Sequence, residues 1–480
     1  MPSARSLCSD WGPTQHFRYT FLPLAGESGY SRSVDAHEPP AVETTVPFLG
    51  PLFGLLTRKT QYYVALRDKF HLPIYTLRLP FSRIYVLSSP DLIPAVQKQW
   101  RTLNFSPFSA GAGRVLGMSK ESLKTMHEGI ADNDGYAASW VRRMATVLGP
   151  GEDLDAINRR SIELFVDDLR TLSDSDSRRY GLWDWVRESI VKATSESIYG
   201  PQNPLRDPKI KEAWKTFEGN FLTLAISPLP SLLCRKGLQA REMLAKAMIE
   251  YMKNGGYKTG SALVQMRHDV HVSEYNFSIE DVGRGEIGNT FAVLGNTTPA
   301  AWWFIYHLFS DPSVLADIRH ELEACVQVDS DSNTHSIDLA CIRTSCPVLL
   351  STFQEVLRFR ALNAGPRVVM QNVTYAPGKK GQTRVAFRAF GGGHVLCPGR
   401  HFASTEIMAL GALLALQFDV KPVAGRWTET RCDKSPLASG FPVPDHDIPV
   451  DFRVRFPERK WRVSFTGSKE AMGIVSEDVA

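Results

Sequence analysis

No run in this 480-residue sequence reaches the roughly eighteen apolar residues that a membrane-spanning helix needs. Charge of one sign is also scarce. The 55 basic and 51 acidic side chains leave a formal +4, too little over this length to argue for a nucleic-acid partner. Cysteine is sparse: the seven (Cys8, Cys234, Cys325, Cys341, Cys346, Cys397, Cys432) are scattered, with no Cys-x-x-Cys pair. Cys341 and Cys346 stand five apart, yet no histidine or second pair completes a zinc site. The pattern reads as reduced thiols rather than a disulfide framework, and points to an intracellular compartment. What is present is ordinary for a folded protein, with 43% hydrophobic and 22% charged residues and enough chain to bury a large core.

Residues 1–45 read as a flexible leader without a clear transmembrane helix. Arg5, Asp10, Arg18, Glu27 and Arg32 are mixed there with Pro and Gly, and Pro23 interrupts the apolar piece Phe21–Ala25. Residues 46–466 read as one large domain and 467–480 as a disordered tail. Within the domain, Ile74–Leu79 and Arg83–Leu87 are β-rich runs around Pro80-Phe81-Ser82, a hairpin pattern. Helices are expected over 162–172, 182–198 and 238–253. Ser278, with Asp281 three residues on, begins a long helix. That helix runs through Gly295-Asn296-Thr297-Thr298-Pro299 to Trp302-Trp303-Phe304-Ile305, and the proline inside it removes one hydrogen bond and kinks it. Further helices are expected from Asp311-Pro312 to Cys325 and over 346–360, and Trp461–Phe465 reads as a closing strand. The fold class is mainly α with a minor β region.

The chemistry concentrates at Phe390–Ala403. Three glycines, Gly391 to Gly393, permit positive φ and close backbone approach, and Pro398-Gly399 then turns the chain. Ala403, Ile407, Leu410 and Leu414 recur at helical spacing. Cys397 thus sits at the mouth of a helix, whose N–H groups and dipole favour an anion. That setting lowers a thiol's pKa and offers the thiolate, the form that binds metal.

Phe390, Gly393, Cys397 and Gly399 match Phe-x-x-Gly-x-x-x-Cys-x-Gly, and in this the sequence resembles the cytochrome P-450 superfamily. The resemblance implies that family's fold around haem b, with Cys397 as the axial thiolate ligand that favours O–O cleavage. It implies that Glu355 and Arg358, as Glu-x-x-Arg, form a buried pair bracing the thiolate loop, and that Arg367 binds a haem propionate. It places Asn296 and Thr298 on the oxygen side of the haem. The Gly-Asn-Thr-x-Pro form is similar to the branch containing prostacyclin synthase and the sterol hydroxylases. From Arg358 at position 358 to Cys397 at position 397 is 39 residues, roughly half the usual family distance. The segment that supplies a third, arginine member of the brace is missing.

The implied function is a haem-thiolate monooxygenase of secondary metabolism, inserting one atom of O2 into a lipophilic small molecule (terpenoid, steroid-like or polyketide). Its electrons come from an NADPH-cytochrome P-450 reductase. Two alternatives stay open: a reductase-independent peroxide isomerase of the prostacyclin synthase type, because Thr297 stands where an acid is common, and a truncated non-catalytic relative. No nucleic-acid partner is expected. The location is then the endoplasmic reticulum surface or the cytoplasm. Phe221–Cys234 is either a core helix end or an apolar loop making peripheral membrane contact. The stretch from Gly378 to Arg400 has no acidic residue; with Lys379, Lys380, Arg384 and Arg388 it is either a solvated face or a dock for an acidic redox partner.

Overall fold

The computed structural model describes residues 38–42, 46–80, 82–175, 178–226, 230–362, 365–371, 387–436, 438–467 and 469–470, and the backbone of 19–21 and 373–375. Lys379, Lys380, Arg384 and most of the leader and tail lie outside them. The chain forms two compact units, one of residues 1–105 with 366–386, the other of 106–365 with 387–480.

The first unit holds the expected hairpin. Ile74–Leu79 pairs antiparallel with Ser82–Leu87, and Tyr75 and Leu77 bury the inward face against Tyr62 and Leu66 of the helix Thr60–Phe70. Short antiparallel pairs join Leu103–Asn104 to Val368–Val369 and Tyr19–Phe21 to Val373–Tyr375. Arg367 opens the Val368–Val369 strand, as expected.

The second unit is helical. Its main helices are α1 (Glu152–Asp174), α2 (Leu182–Tyr199), α3 (Pro208–Ile226), α4 (Arg235–Lys253), α5 (Ile279–Ser310), α6 (Pro312–Ala324), α7 (Leu339–Ser345), α8 (Pro347–Arg360) and α9 (Arg400–Gln417). Local chemistry explains their starts. Glu152, Asp153 and Asp155 fill the first turn of α1 and complement its dipole. The Ser278 hydroxyl accepts the Asp281 N–H at 3.1 Å to begin α5, and Asp311 accepts from Ser313 and Val314 before Pro312 opens α6. A three-stranded antiparallel sheet joins Phe418–Pro422, Pro449–Val454 and Arg179–Gly181. In a second sheet Thr334–Asp338 pairs parallel with Lys460–Ser464 and antiparallel with Val326–Asp329.

Two helices form the middle of this unit. Trp302, Trp303, Phe304 and Ile305 of α5 are fully buried, and α9 is buried along nearly all its length. A helix apolar on every side belongs in a core. Gly411 permits their contact, since a Cβ there would stand 2.4 Å from Phe304 Cε1. As expected, the helix continues through Pro299: α5 runs 32 residues, Ile279–Ser310. Only one N–H is lost at a proline, and packing on both sides of α5 holds the turn.

The cysteine reading is corrected. Cys325 and Cys341 form a disulfide, and Cys346 is buried beside them. Cysteines scattered in sequence converge here because α6 ends, α7 passes and α8 starts at one place.

Candidate functional site

The loop before α9 adopts the conformation that its glycines were expected to allow. Gly391 has φ +80° and Gly393 φ +59°, whereas Gly392 is extended. At Gly391 a Cβ would press to 2.6 Å from the Val395 carbonyl oxygen, so only glycine fits without strain. The Gly391 N–H donates to Arg388 O at 2.9 Å, and the Cys397 N–H reaches back to Phe390 O at 2.8 Å. These two bonds close the loop and fix the direction in which Cys397 leaves it. On the far side, Arg400 Nη1 donates to Cys397 O at 3.2 Å, and the Ala403 N–H to Gly399 O at 3.0 Å begins α9. Gly399 has ordinary φ, and a Cβ there would make only an ordinary contact, 3.9 Å from Cys397 Sγ.

The thiol does not behave as the helix-mouth position alone predicts. Burial pushes the Cys397 thiol up; the Gly399 N–H, the Arg400 charge and the Arg400 N–H pull the other way and lose. Desolvation outweighs the helix terminus, and a metal ion coordinated there would be what favours the thiolate, since a coordinating thiol is deprotonated.

Asn296 is exposed in the middle of α5, as is Ala292 one turn before it, although most of their neighbours are buried. The Asn296 Oδ1 accepts the Gly440 N–H at 2.7 Å. Thr298 lies roughly 200° round the helix from Asn296 and is 3% exposed. The two residues expected together on the oxygen side therefore sit on different faces. Thr297 turns inward and back-bonds to Val293 O at 2.6 Å.

Glu355 and Arg358 do pair, at 2.9 Å, but both are exposed, at 64% and 58% of their side chains. The expectation of a buried pair is corrected. Leu349, Phe353, Val356 and Leu357 take the core side of α8, which leaves 355 and 358 facing out. Arg367 belongs to the first unit, where its Nη1 donates to Pro366 O at 2.7 Å and its guanidinium stands 6.0 Å from the Phe105 ring. Phe390 and Gly393 remain parts of the loop, Phe390 through the carbonyl that receives Cys397.

Three further groups escape a reading of motifs. Trp303 Nε1 donates to Pro442 O at 2.8 Å, and Arg360 stacks 3.6 Å over the Trp303 ring while pairing with Glu429. Glu406, nine residues after Cys397, is buried in α9 and receives Ser161 Oγ at 2.6 Å and Thr194 Oγ1 at 2.7 Å on one oxygen. Burial pushes its carboxyl up to about 7, despite the two hydroxyl donors. The one sequence signal that could have found it is an acid within an otherwise apolar helix.

A thiol on a glycine-built loop at the mouth of α9 fits an iron porphyrin by donor type. The comparisons with known proteins agree. A cytochrome P450 family model matches residues 40–376. Cytochrome P450 monooxygenase nodJ of Hypoxylon pulicicidum is 33% identical over 92% of this chain and 95% of its own length. The 25-hydroxycholesterol 7-alpha-hydroxylase of Rattus norvegicus is 23% identical over 76% of this chain and 98% of its own. Among solved structures, retinoic acid bound cyanobacterial CYP120A1 superposes with a TM-score of 0.65 at 16% identity, covering 87% of this chain and 99% of that one.

Proposed function

Because the chain belongs to the cytochrome P450 family, we propose that it inserts one oxygen atom from O2 into a lipophilic small molecule, of terpenoid, steroid-like or polyketide type, in secondary metabolism. Its relatives make it an oxidoreductase of the monooxygenase class. An NADPH-cytochrome P-450 reductase is the proposed electron donor. The observation that carries the reading is the Cys397 loop: Gly391 and Gly393 in the left-handed region, with Cys397 tied back to Phe390 O.

Haem, when bound, supplies the oxygen activation, and the protein supplies ligation, orientation and surroundings. Cys397 is the proposed iron ligand. Arg367 is the proposed propionate anchor, a charge-assisted pairing that its guanidinium suits. Glu355 and Arg358 keep a proposed role near the loop only through α8, since their charges face solvent. Asn296 and Trp303 hold the 440–442 turn by its backbone, so the turn's position is set from the central helix. Thr298 keeps its proposed oxygen-side role only through the packing of α5, since it is buried on another face from Asn296. We assign residues 46–466 to the haem domain.

Peripheral membrane contact is proposed through the short helix Pro230–Leu233, where Leu232 and Leu233 are 74% and 65% exposed. No helix among the described residues is long and apolar enough to cross a membrane.

The test is incubation of the haem-loaded protein with reductase, NADPH and 18O2 against a panel of terpenoids, steroids and polyketides. A product carrying one labelled oxygen, absent without NADPH, is expected. NADPH-independent conversion of a lipid hydroperoxide with no label taken up overturns the reading in favour of peroxide isomerisation.

A further inference from the structure

The Cys325–Cys341 bridge has a third cysteine at its inner end. Cys325 caps the end of α6, Cys341 lies in α7 and Cys346 caps the start of α8. Cys346 Sγ stands 3.9 Å from Cys325 Sγ, in van der Waals contact. We infer that Cys325, Cys341 and Cys346 form a thiol–disulfide exchange site, in which Cys325 is held in common and its partner alternates between Cys341 and Cys346.

The three positions are unequal in a way that suits exchange. Cys325 and Cys346 are 7% and 1% exposed, whereas Cys341 is only half-buried. In the exchange, Cys346 gives up its proton and its sulfur attacks Cys325 Sγ. The Cys325–Cys346 bond forms, the Cys325–Cys341 bond breaks, and Cys341 leaves as a thiolate that takes up a proton. No net oxidation occurs, and the departing thiolate is the one that reaches water. Chain entropy hardly separates the two pairings, because the cysteines are 16 residues apart in one and 21 in the other.

What keeps the observed pairing at rest is the state of the attacking thiol. Burial and the facing Glu321 carboxylate push Cys346 up to about 12. Glu321 is held there by the Val348 N–H at 2.8 Å and the Leu349 N–H at 3.2 Å, the first free donors of α8. The attacking thiolate is therefore scarce, and exchange is slow. Its effect is to move the covalent tether of α6 from the short helix α7 to the head of α8, the helix that carries Glu355 and Arg358.

Trapping tests this in the wild-type protein. N-ethylmaleimide is added to the native protein, samples are quenched in acid over hours, and peptides are mapped without reduction. Exchange predicts the progressive appearance of alkylated Cys341 in molecules that hold a Cys325–Cys346 bridge, and its loss in Cys346→Ser. Alkylation confined to Cys346, with Cys325–Cys341 intact throughout, overturns the inference. A second arm oxidises Cys341→Ser with glutathione disulfide. A Cys325–Cys346 peptide at least tenfold above its wild-type level is expected. Recovery of Cys325 as a glutathione mixed disulfide or free thiol overturns it.

Discussion

Asn296 and Gly440 are joined by a 2.7 Å hydrogen bond from the Gly440 N–H to the Asn296 side-chain oxygen. Seven residues on, and so on the same face of α5, Trp303 holds Pro442 O. Leu362, just past α8, donates its N–H to Gly440 O at 2.8 Å. The turn is thus clamped from two helices through its backbone. Asn296→Ala should lower stability by about 1 kcal/mol in urea unfolding, the worth of a partly buried neutral hydrogen bond. Asn296→Asp, which keeps an acceptor, should recover most of it. An unchanged midpoint in Asn296→Ala contradicts the clamp.

Glu406 gives the fold a pH dependence with a definite sign. Its folded pKa of about 7 lies above the ordinary carboxyl value of 4.5. The protonated form is the one that folding favours, so this stability is fully present below pH 4.5 and is lost as pH rises through 7. The loss amounts to about 3 kcal/mol on the linkage relation. Glu406→Gln stays neutral and still accepts from Ser161 and Thr194. Denaturant midpoints measured from pH 5 to 8 should fall in the wild type and stay flatter in the variant; parallel curves refute the assignment.

The exposed pair Glu355–Arg358 makes a different kind of prediction. Solvent screens such a contact and holding two long side chains together costs entropy. Arg358→Gln should leave the urea midpoint of the haem-free protein unchanged. A clear destabilisation would mean that the pair is buried in solution.

For the membrane surface the informative residues of the 221–234 stretch are Leu232 and Leu233, since Leu224 is buried at 7% exposure. Leu232→Asp with Leu233→Asp should cut co-flotation with phosphatidylcholine vesicles severalfold at unchanged stability. Equal flotation of wild type and variant removes Pro230–Leu233 from the contact.

Some of this was legible because a backbone demand fixes the residue. Only glycine suits φ +80° beneath the Val395 carbonyl, so the Cys397 loop announced itself, and Ser278 with Asp281 announced α5 in the same way. The hairpin 74–87 followed from two β-rich runs around turn residues. The helix through Pro299 was legible too, since a proline removes only one hydrogen bond and the apolar residues after it ask for a core. Other features depend on what lies opposite. The spacing of Glu355 and Arg358 puts them on one face of α8 but does not say which, and Leu349, Phe353 and Val356 claimed the inner one. The partners of Glu406 lie 245 and 212 residues away in sequence, and the three converging cysteines come from separate helices, so neither cluster has a local signature.

Ligation of iron by Cys397 is tested most directly by the reduced carbon-monoxide difference spectrum of the purified protein. The wild type should show the red-shifted Soret band of a thiolate-ligated haem, and Cys397→Ala should lose it. The same red-shifted band in Cys397→Ala, or a wild type that takes up haem without ever giving it, would contradict the assignment.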